Sequence, residues 1–323
     1  MATHHSKKIR LALLFLLGAF IISVGILYIP SFMPRQMLPL PSAKEYNFYI
    51  ITDFGSVNGG GDKKQIVEQM NLLVPKVAPR YIISGGDNFH SAAAMTATDT
   101  VWRWNFEQFF KTGAIKELDW YLALGNHDYT GNPQAQLDYA NTHPHWIMPA
   151  RYFTFVKKTD DSTSIRFVIL DTSPFQTDYI KRGGHADVAQ QDTRKQLHWT
   201  DSVLASSHER WKVVIGHHPI VHSGLFTGIG GELLAQVNPL LKKYKVDVYF
   251  SGHVHNFQHL QKDSIDYVIG STTWKGRTIT PWFYSKYWKN ETGFTLCSVD
   301  AHHFSFYFIN GKGEVLYTYS RKK

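Results

Sequence analysis

The chain alternates short apolar runs with polar, glycine-containing breaks. Residues 46–52, 81–84, 120–124, 165–170, 212–215 and 246–250 are largely apolar and four to seven residues long. Near-continuous runs of that length predict strands covered on both faces. Between them the apolar positions fall at helical spacing. Residues 63–74 place Ile66, Met70 and Leu73 on one face and are closed by Pro75. Residues 101–110, 190–206 (with Leu197 and Leu204 inward) and 233–244 (around Pro239) predict further helices. The C-terminal part is strand-rich, at 267–270, 294–299, 304–309 and 315–319. Strand, polar cluster, then helix is the α/β pattern. No repeat of 20–50 residues suggests a solenoid, so one folded domain is expected over residues 44–323.

The N-terminus breaks the pattern. Residues 11–29 form a stretch of nineteen without a charge, preceded by Lys7, Lys8 and Arg10. As a helix this stretch spans about 28 Å at roughly 1.5 Å per residue, close to a bilayer core of about 30 Å. It is longer than the apolar part of an ordinary signal peptide, and 30–34 (Pro-Ser-Phe-Met-Pro) is not a small-residue cleavage site. An uncleaved signal-anchor is the preferred reading, with residues 1–10 as a cytoplasmic basic tail and the Pro-rich 30–43 as a linker. A cleaved signal peptide, giving a secreted protein, is the alternative. Either places the folded domain outside the cytoplasm, periplasmic or extracellular.

Composition narrows the class. With 323 residues, 43% hydrophobic and 19% charged, the chain buries a large core and is neither disordered nor a coiled coil. Its net charge of +8 lies partly in terminal clusters. No basic stripe interleaved with aromatics is present, so no nucleic-acid partner is expected. Cys297 is the single cysteine and excludes an internal disulfide. Nothing in the sequence reports the oligomeric state.

Five of the apolar runs end in a residue able to hold a metal: Asp53, Asp87, Asn126, His217, and the pair His253 and His255. In open α/β sheets ligands bind at the carboxyl ends of strands. If residues 253–255 are extended, the two imidazoles face the same way with Cα atoms about 7 Å apart. That separation suits two ions about 3.5–4 Å apart. Taken singly each motif is ordinary, since an Asp after a strand is usually a turn former.

Their order is more specific. Asp53-Phe54-Gly55, Gly86-Asp87-Asn88, Gly125-Asn126-His127-Asp128, Gly216-His217 and Gly252-His253-Val254-His255 together resemble the signature of the binuclear calcineurin-like metallophosphoesterases, and within them the small tartrate-resistant-type purple acid phosphatases. The likeness extends over roughly residues 47–275, including 149–152 (Pro-Ala-Arg-Tyr) and 255–261 (His-Asn-Phe-Gln-His-Leu-Gln). The resemblance implies an α/β fold built as a four-layer α/β/β/α sandwich. It implies two metal ions, iron plus zinc, manganese or a second iron. Asp53, Asp87 and His255 would hold the first, and Asp87, Asn126, His217 and His253 the second, with Asp87 bridging. The implied reaction is hydrolysis of a phosphomonoester, on a small molecule or a protein, by a metal-bridging hydroxide. His127 would bind phosphate or protonate the leaving alkoxide. A phosphodiesterase or nucleotide or phospholipid hydrolase on the same centre is the alternative activity. A non-catalytic surface protein keeping the fold is the alternative class.

Two positions depart from the family pattern. The motif carries Tyr where this chain has His90, and that Tyr is the phenolate ligand behind the purple colour. His90 remains a potential first-metal ligand but implies a pale centre. Nine residues after His217 the family places a phosphate-facing histidine; here that residue is Phe226, and His222 is the candidate substitute. His218 has no assigned role, and Asp171 reads as a structural carboxylate supporting the site.

Overall fold

The computed structural model describes residues 37–56, 62–90, 92–160, 162–185, 187–224, 231–270, 272–274 and 284–323. The expected tail 1–10, anchor 11–29, residues 30–36 of the linker, the glycines at 59–61 and Phe226 lie outside these residues. No described helix is long and apolar enough to cross a membrane.

In chain order the strands are β1 Tyr46–Ile51, β2 Tyr81–Ser84, β3 Asp119–Leu122, β4 Trp146–Ile147, β5 Phe153–Lys158, β6 Ser164–Ile169, β7 Trp211–Ile215, β8 Val248–Ser251, β9 Phe257–Lys262, β10 Ile265–Ile269, β11 Ser285–Lys289, β12 Gly293–Val299, β13 His303–Asn310 and β14 Val315–Lys322. They form two seven-stranded sheets, ordered β14-β13-β12-β1-β2-β3-β4 and β11-β9-β10-β8-β7-β6-β5. The strands β1, β2, β3 and β4 run parallel, as do β6, β7, β8 and β10.

Side-chain alternation along each strand builds the layers. In β1, Phe48 and Ile50 face the other sheet, where they meet Phe167 and Ile169 of β6 and Val213 and Ile215 of β7. Tyr49 and Ile51 face outward onto the helix Lys63–Val77, through Ile66, Met70 and Leu73. In β6, Val168 points the other way, onto Leu204, Leu233 and Leu241 of the opposite helical layer. The result is the expected four-layer α/β/β/α sandwich. Phe48 joins both sheets, with its ring 5.1 Å from Tyr81, 5.6 Å from Phe167 and 6.3 Å from Phe304. Cys297 is buried in this middle layer as a free thiol.

Several boundaries differ from the periodicity for local reasons. The helix over 63–77 runs through Pro75, because a proline in the last turn forfeits only one ladder bond; Ala78 ends it in the left-handed conformation, φ 43°, its N–H donating to Val74 O at 2.8 Å. The expected helix over 190–206 is Thr193–Ala205, started by Asp192, whose Oδ1 accepts the Lys195 N–H at 3.0 Å. The helix expected over 233–244 is two, Gly231–Gln236 and Asn238–Lys243, with Pro239 in the first turn of the second, where its missing N–H costs nothing. The segment expected as a helix over 101–110 contains a π turn, Arg103–Glu107, that runs into Gln108–Phe110. Strands β4, β5, β9 and β11 escape the apolar pattern. In β9 the interior residues are polar: Gln258 is held by Ser223 and Asn256, and His259 lies between Tyr317 Oη at 2.8 Å and Asp266 Oδ1 at 3.0 Å.

The topology decides where chemistry sits. Loops leaving the carboxyl ends of β1, β2 and β3 in one sheet meet those leaving β7 and β8 in the other. Backbone bonds join each loop to its neighbour: Asp53 N–H to Gly86 O at 2.9 Å, and Gly252 N–H to His217 O at 2.9 Å.

Candidate metal centre

The backbone at this seam is unusual. Asp53 and Asp87 take positive φ, both 50°, and His253 and His255 take 71° and 56°. A non-glycine residue held there costs about 1–3 kcal/mol, so four such residues in one cluster signal a constraint imposed by the site. The geometry also corrects the extended reading of residues 253–255. The segment is a bend rather than a strand, and the left-handed turns send the two imidazoles to different partners.

His255 Nε2 lies 3.2 Å from Asp53 Oδ1. His253 Nδ1 lies 2.9 Å from Asn126 Oδ1 and 3.3 Å from His217 Nε2. His217 Nε2 is in turn 3.2 Å from Asp87 Oδ2 and 3.2 Å from Asn126 Oδ1. Three overlapping groups emerge in which every ligand atom is within 4.8 Å of the others: Asp87, His90 and His255; Asp53, Asp87 and His217; and His217, His218 and His253. Asp87 belongs to the first two, and Asn126 joins through His217 and His253. Each of the seven expected donors therefore lies in this one cluster.

Outer contacts aim the donors. His217 Nδ1 pairs with Gly85 O at 3.0 Å, turning Nε2 inward. Asp53 receives the His253 N–H on both oxygens, at 3.1 and 3.0 Å, and the Thr52 hydroxyl lies 2.5 Å from Oδ2. Asp87 Oδ1 accepts the His127 N–H at 2.8 Å. His90 Nε2 is buried yet has no hydrogen-bond partner among the described residues, and buried Asp87 Oδ2 has none beyond its 3.2 Å ion-pair contact with His217 Nε2. Buried polar atoms are normally satisfied. These two atoms, within a set of carboxylate, imidazole and amide donors, fit a site built for metal ions.

Charge tells the same story. Burial alone would raise Asp53, but the imidazoles of His255 and His217 override it and hold the carboxyl well below its ordinary range. Burial would lower His217, yet Asp87 and Asp53 push it up to about 9. His255 is raised by Asp53 against the same burial. His90 goes the other way: burial and then neighbouring His127 lower it, favouring the neutral ligand form. The two rings stack with centroids 3.7 Å apart.

The remaining expectations separate. His218 is buried, but Thr172 Oγ1 at 2.8 Å and Tyr179 Oη at 2.9 Å occupy both its nitrogens, and burial holds it well below its ordinary range, so it is a neutral structural neighbour. Asp171 binds the Tyr129 hydroxyl, which also accepts from Arg151 at 3.0 Å; burial raises its carboxyl to about 7. It lies outside the donor groups. His222 is half-buried and also outside them. Its loop is stitched to the site by Ser223 N–H to Gln258 Oε1 at 2.7 Å and Gln258 Nε2 to Asn256 Oδ1 at 2.9 Å.

Four contributing residues carried no assigned role. Asp128 accepts from the backbone of Gly125, Asn88 and Phe89 and from Gln136, fastening two donor loops together; burial and Asp87 raise it to about 7. Its place three residues after Gly125, a turn-closing position, was the available signal. Trp274 lies with its ring 5.7 Å from His90, and no local pattern announces it. Gly125 and Gly252 pack against the carboxylates themselves. A Cβ on Gly125 would stand 2.2 Å from Asp87 Oδ1, and one on Gly252 2.3 Å from Asp53 Oδ2.

Comparison with known proteins agrees with this geometry. The family description calcineurin-like phosphoesterase matches residues 46–257. The chain is 29% identical over 290 residues to purple acid phosphatase 7 of Arabidopsis thaliana, covering 86% of each chain. It is 29% identical over 252 residues to tartrate-resistant acid phosphatase type 5 of Homo sapiens, covering 72% of this chain and 76% of that one. Among solved structures, GAP50, the anchor in the inner membrane complex of Plasmodium, superposes with a TM-score of 0.72 at 21% identity over 86% of this chain and 89% of that one. Purple acid phosphatase PPD1 from yellow lupin (Lupinus luteus) seeds superposes with a TM-score of 0.62 at 14% identity, over 88% and 55%. At these identities the structural likeness establishes the fold.

The glycine contacts give a test that leaves every donor in place. Gly252→Ala should fold, by circular dichroism, but hold metal roughly 10–100-fold more weakly, the range for disturbing a ligand's support. Metal affinity equal to that of the unaltered protein would show that Asp53 is not pinned from this side.

Proposed function

The chain belongs to the calcineurin-like phosphoesterase family, and from that membership we propose that it is an acid-phosphatase-like enzyme that hydrolyses phosphomonoesters. The observation that carries the proposal is the convergence of Asp53, Asp87, His90, Asn126, His217, His253 and His255, with Asp87 Oδ2 and His90 Nε2 left without hydrogen bonds. Asp53, Asp87, His90 and His255 would hold a first ion, and Asp87, Asn126, His217 and His253 a second. Two ions held there (iron with zinc, manganese or a second iron) would supply Lewis acidity toward phosphoryl oxygens and lower the pKa of water.

The chain's own residues do the rest. The His127 N–H fixes Asp87 through Oδ1, leaving Oδ2 for the centre. The His127 imidazole, partly exposed on the face of His90, stands at the mouth of the site. It contacts phosphate or carries the proton to the leaving oxygen. His222, on the loop tied to Asn256, is the candidate for a second phosphate contact. Because His90 stands where the family motif has Tyr, no phenolate is available for charge transfer to iron.

Purified protein should contain close to two metal ions per chain, be pale, and hydrolyse an aryl phosphomonoester faster than the matching diester. Asp87→Ala should remove at least the roughly 10²–10³-fold that one transition-state donor is worth. A strong visible charge-transfer band would refute the role given to His90. Diester preference would move the assignment to a phosphodiesterase on the same donors.

The second reading, a non-catalytic surface protein that keeps the fold, is raised by one fold neighbour, GAP50, being called an anchor. The complete donor set and His127 favour the enzyme. We further propose that residues 11–29 tether the domain outside the cytoplasm, on the strength of an uncharged stretch behind a basic flank. Protease added to cells whose outer boundary is permeabilised but whose cytoplasmic membrane is intact should then degrade the domain; full protection would contradict it.

A further inference from the structure

Lys63 opens the helix Lys63–Val77 with a fully buried side chain. Its Nζ donates to Ser56 O at 2.9 Å, to Asn105 O, and to Asn105 Oδ1 at 3.2 Å. The rings of Phe109, Phe110 and Phe54 lie 4.8, 5.7 and 5.8 Å away. None of its hydrogen-bond partners is a carboxylate. An ammonium has three N–H groups, and these three oxygens take all of them. Burial pushes Lys63 well below its ordinary range. Removing an ammonium from water costs several kcal/mol, so a lysine in this position must return something to the fold.

What it returns lies along its contacts. Ser56 belongs to the loop that carries Asp53. Asn105 sits in the middle of the π turn Arg103–Glu107. A π turn interrupts the regular helical ladder and is frequent near functional sites. Here its middle residue directs both carbonyl and side chain at neighbours: Asn105 Nδ2 donates to Asn88 O, in the loop that carries Asp87 and His90. The same two loops also meet through Gly55 N–H to Asp87 O at 3.1 Å and His90 N–H to Gly55 O at 2.6 Å. Asn126, His217 and His253 hang from β3, β7 and β8 and meet these loops only at the carboxylates, His217 Nε2 lying 3.2 Å from Asp87 Oδ2 and the His253 N–H donating to Asp53.

We propose that Lys63 is a positioning residue for the first metal site: through Asn105 it clamps the 53–56 loop against the 87–90 loop and sets the separation of Asp53 from Asp87 and His90. The proposal rests on the metal-centre reading above. It assigns a purpose to the π turn and explains why a buried lysine is kept beside the rings of Phe54, Phe109 and Phe110. It also makes the two metal sites unequal, because the second depends on the clamp only through the shared Asp87.

The test uses the full chain and zinc. Zinc is removed stepwise by a competing chelator from the unaltered protein, from Lys63→Met, which loses the donors at similar length, and from Asn105→Asp. The second variant keeps a partner for Lys63 but loses the N–H to Asn88. His90→Ala identifies which step belongs to the first site. In both clamp variants the first-site step should shift roughly 10–100-fold toward weaker binding, and the second-site step, which feels the clamp only through Asp87, should shift less. Unchanged steps, or both steps moving by the same factor, would overturn the clamp. Asn105→Asp decides the matter if Lys63→Met does not fold. An unaltered protein that takes up no zinc would overturn the metal-centre reading, and the clamp with it.

Discussion

Two carboxylates buried at the seam between two sheets set the terms for this molecule. Asp53 and Asp87 are almost fully removed from water, where isolated anions are costly. Positive charge must meet them. His217 and His255 partly do so, which is why both are raised while Asp53 is held low. Two cations between the same donors would answer the demand more fully and would also engage His90 Nε2, which makes no hydrogen bond among the described residues. The strained turns at Asp53, Asp87, His253 and His255 belong to that arrangement: each puts a side chain where a relaxed strand end would not.

The sandwich makes such a site affordable. Its middle layer, with Phe48 between the rings of Tyr81, Phe167 and Phe304, holds the sheets at a fixed spacing. Parallel strands bring β1, β2 and β3 to one rim and β7 and β8 to the same rim from the other sheet. Short loops then hold the donors, braced by Asp128 from one side and Lys63 with Asn105 from another. Glycines at 125 and 252 let backbone lie against the carboxylates, leaving them little room to move. Rigidity of this kind keeps a centre organised for a reaction that depends on charge and orientation.

Much of this was legible in the chain, for identifiable reasons. Strands covered on both faces leave continuous apolar runs, and the polar residues that end them stand out, so Asp53, Asp87, Asn126 and His217 could be found by eye. The geometry of His253 and His255 could not, because alternation assumes an extended backbone and theirs is left-handed. Strand β9 was hidden because Gln258 and His259 are buried by pairing rather than by apolar character. Lys63 sits in a Lys-Lys pair that looks like any solvated helix start; only Asn105 and Ser56, brought close in space, reveal it. Pro75 misled for the opposite reason, being a strong local signal that the last turn of a helix tolerates.

The account stands on one claim, that these seven side chains form two adjoining metal sites sharing Asp87. Anomalous X-ray scattering from crystals of the metal-loaded protein measures this directly. Two peaks should appear about 3.5–4 Å apart, one among Asp53, Asp87, His90 and His255 and the other among Asp87, Asn126, His217 and His253. A single peak, or two peaks with Asp87 in contact with only one of them, would contradict it.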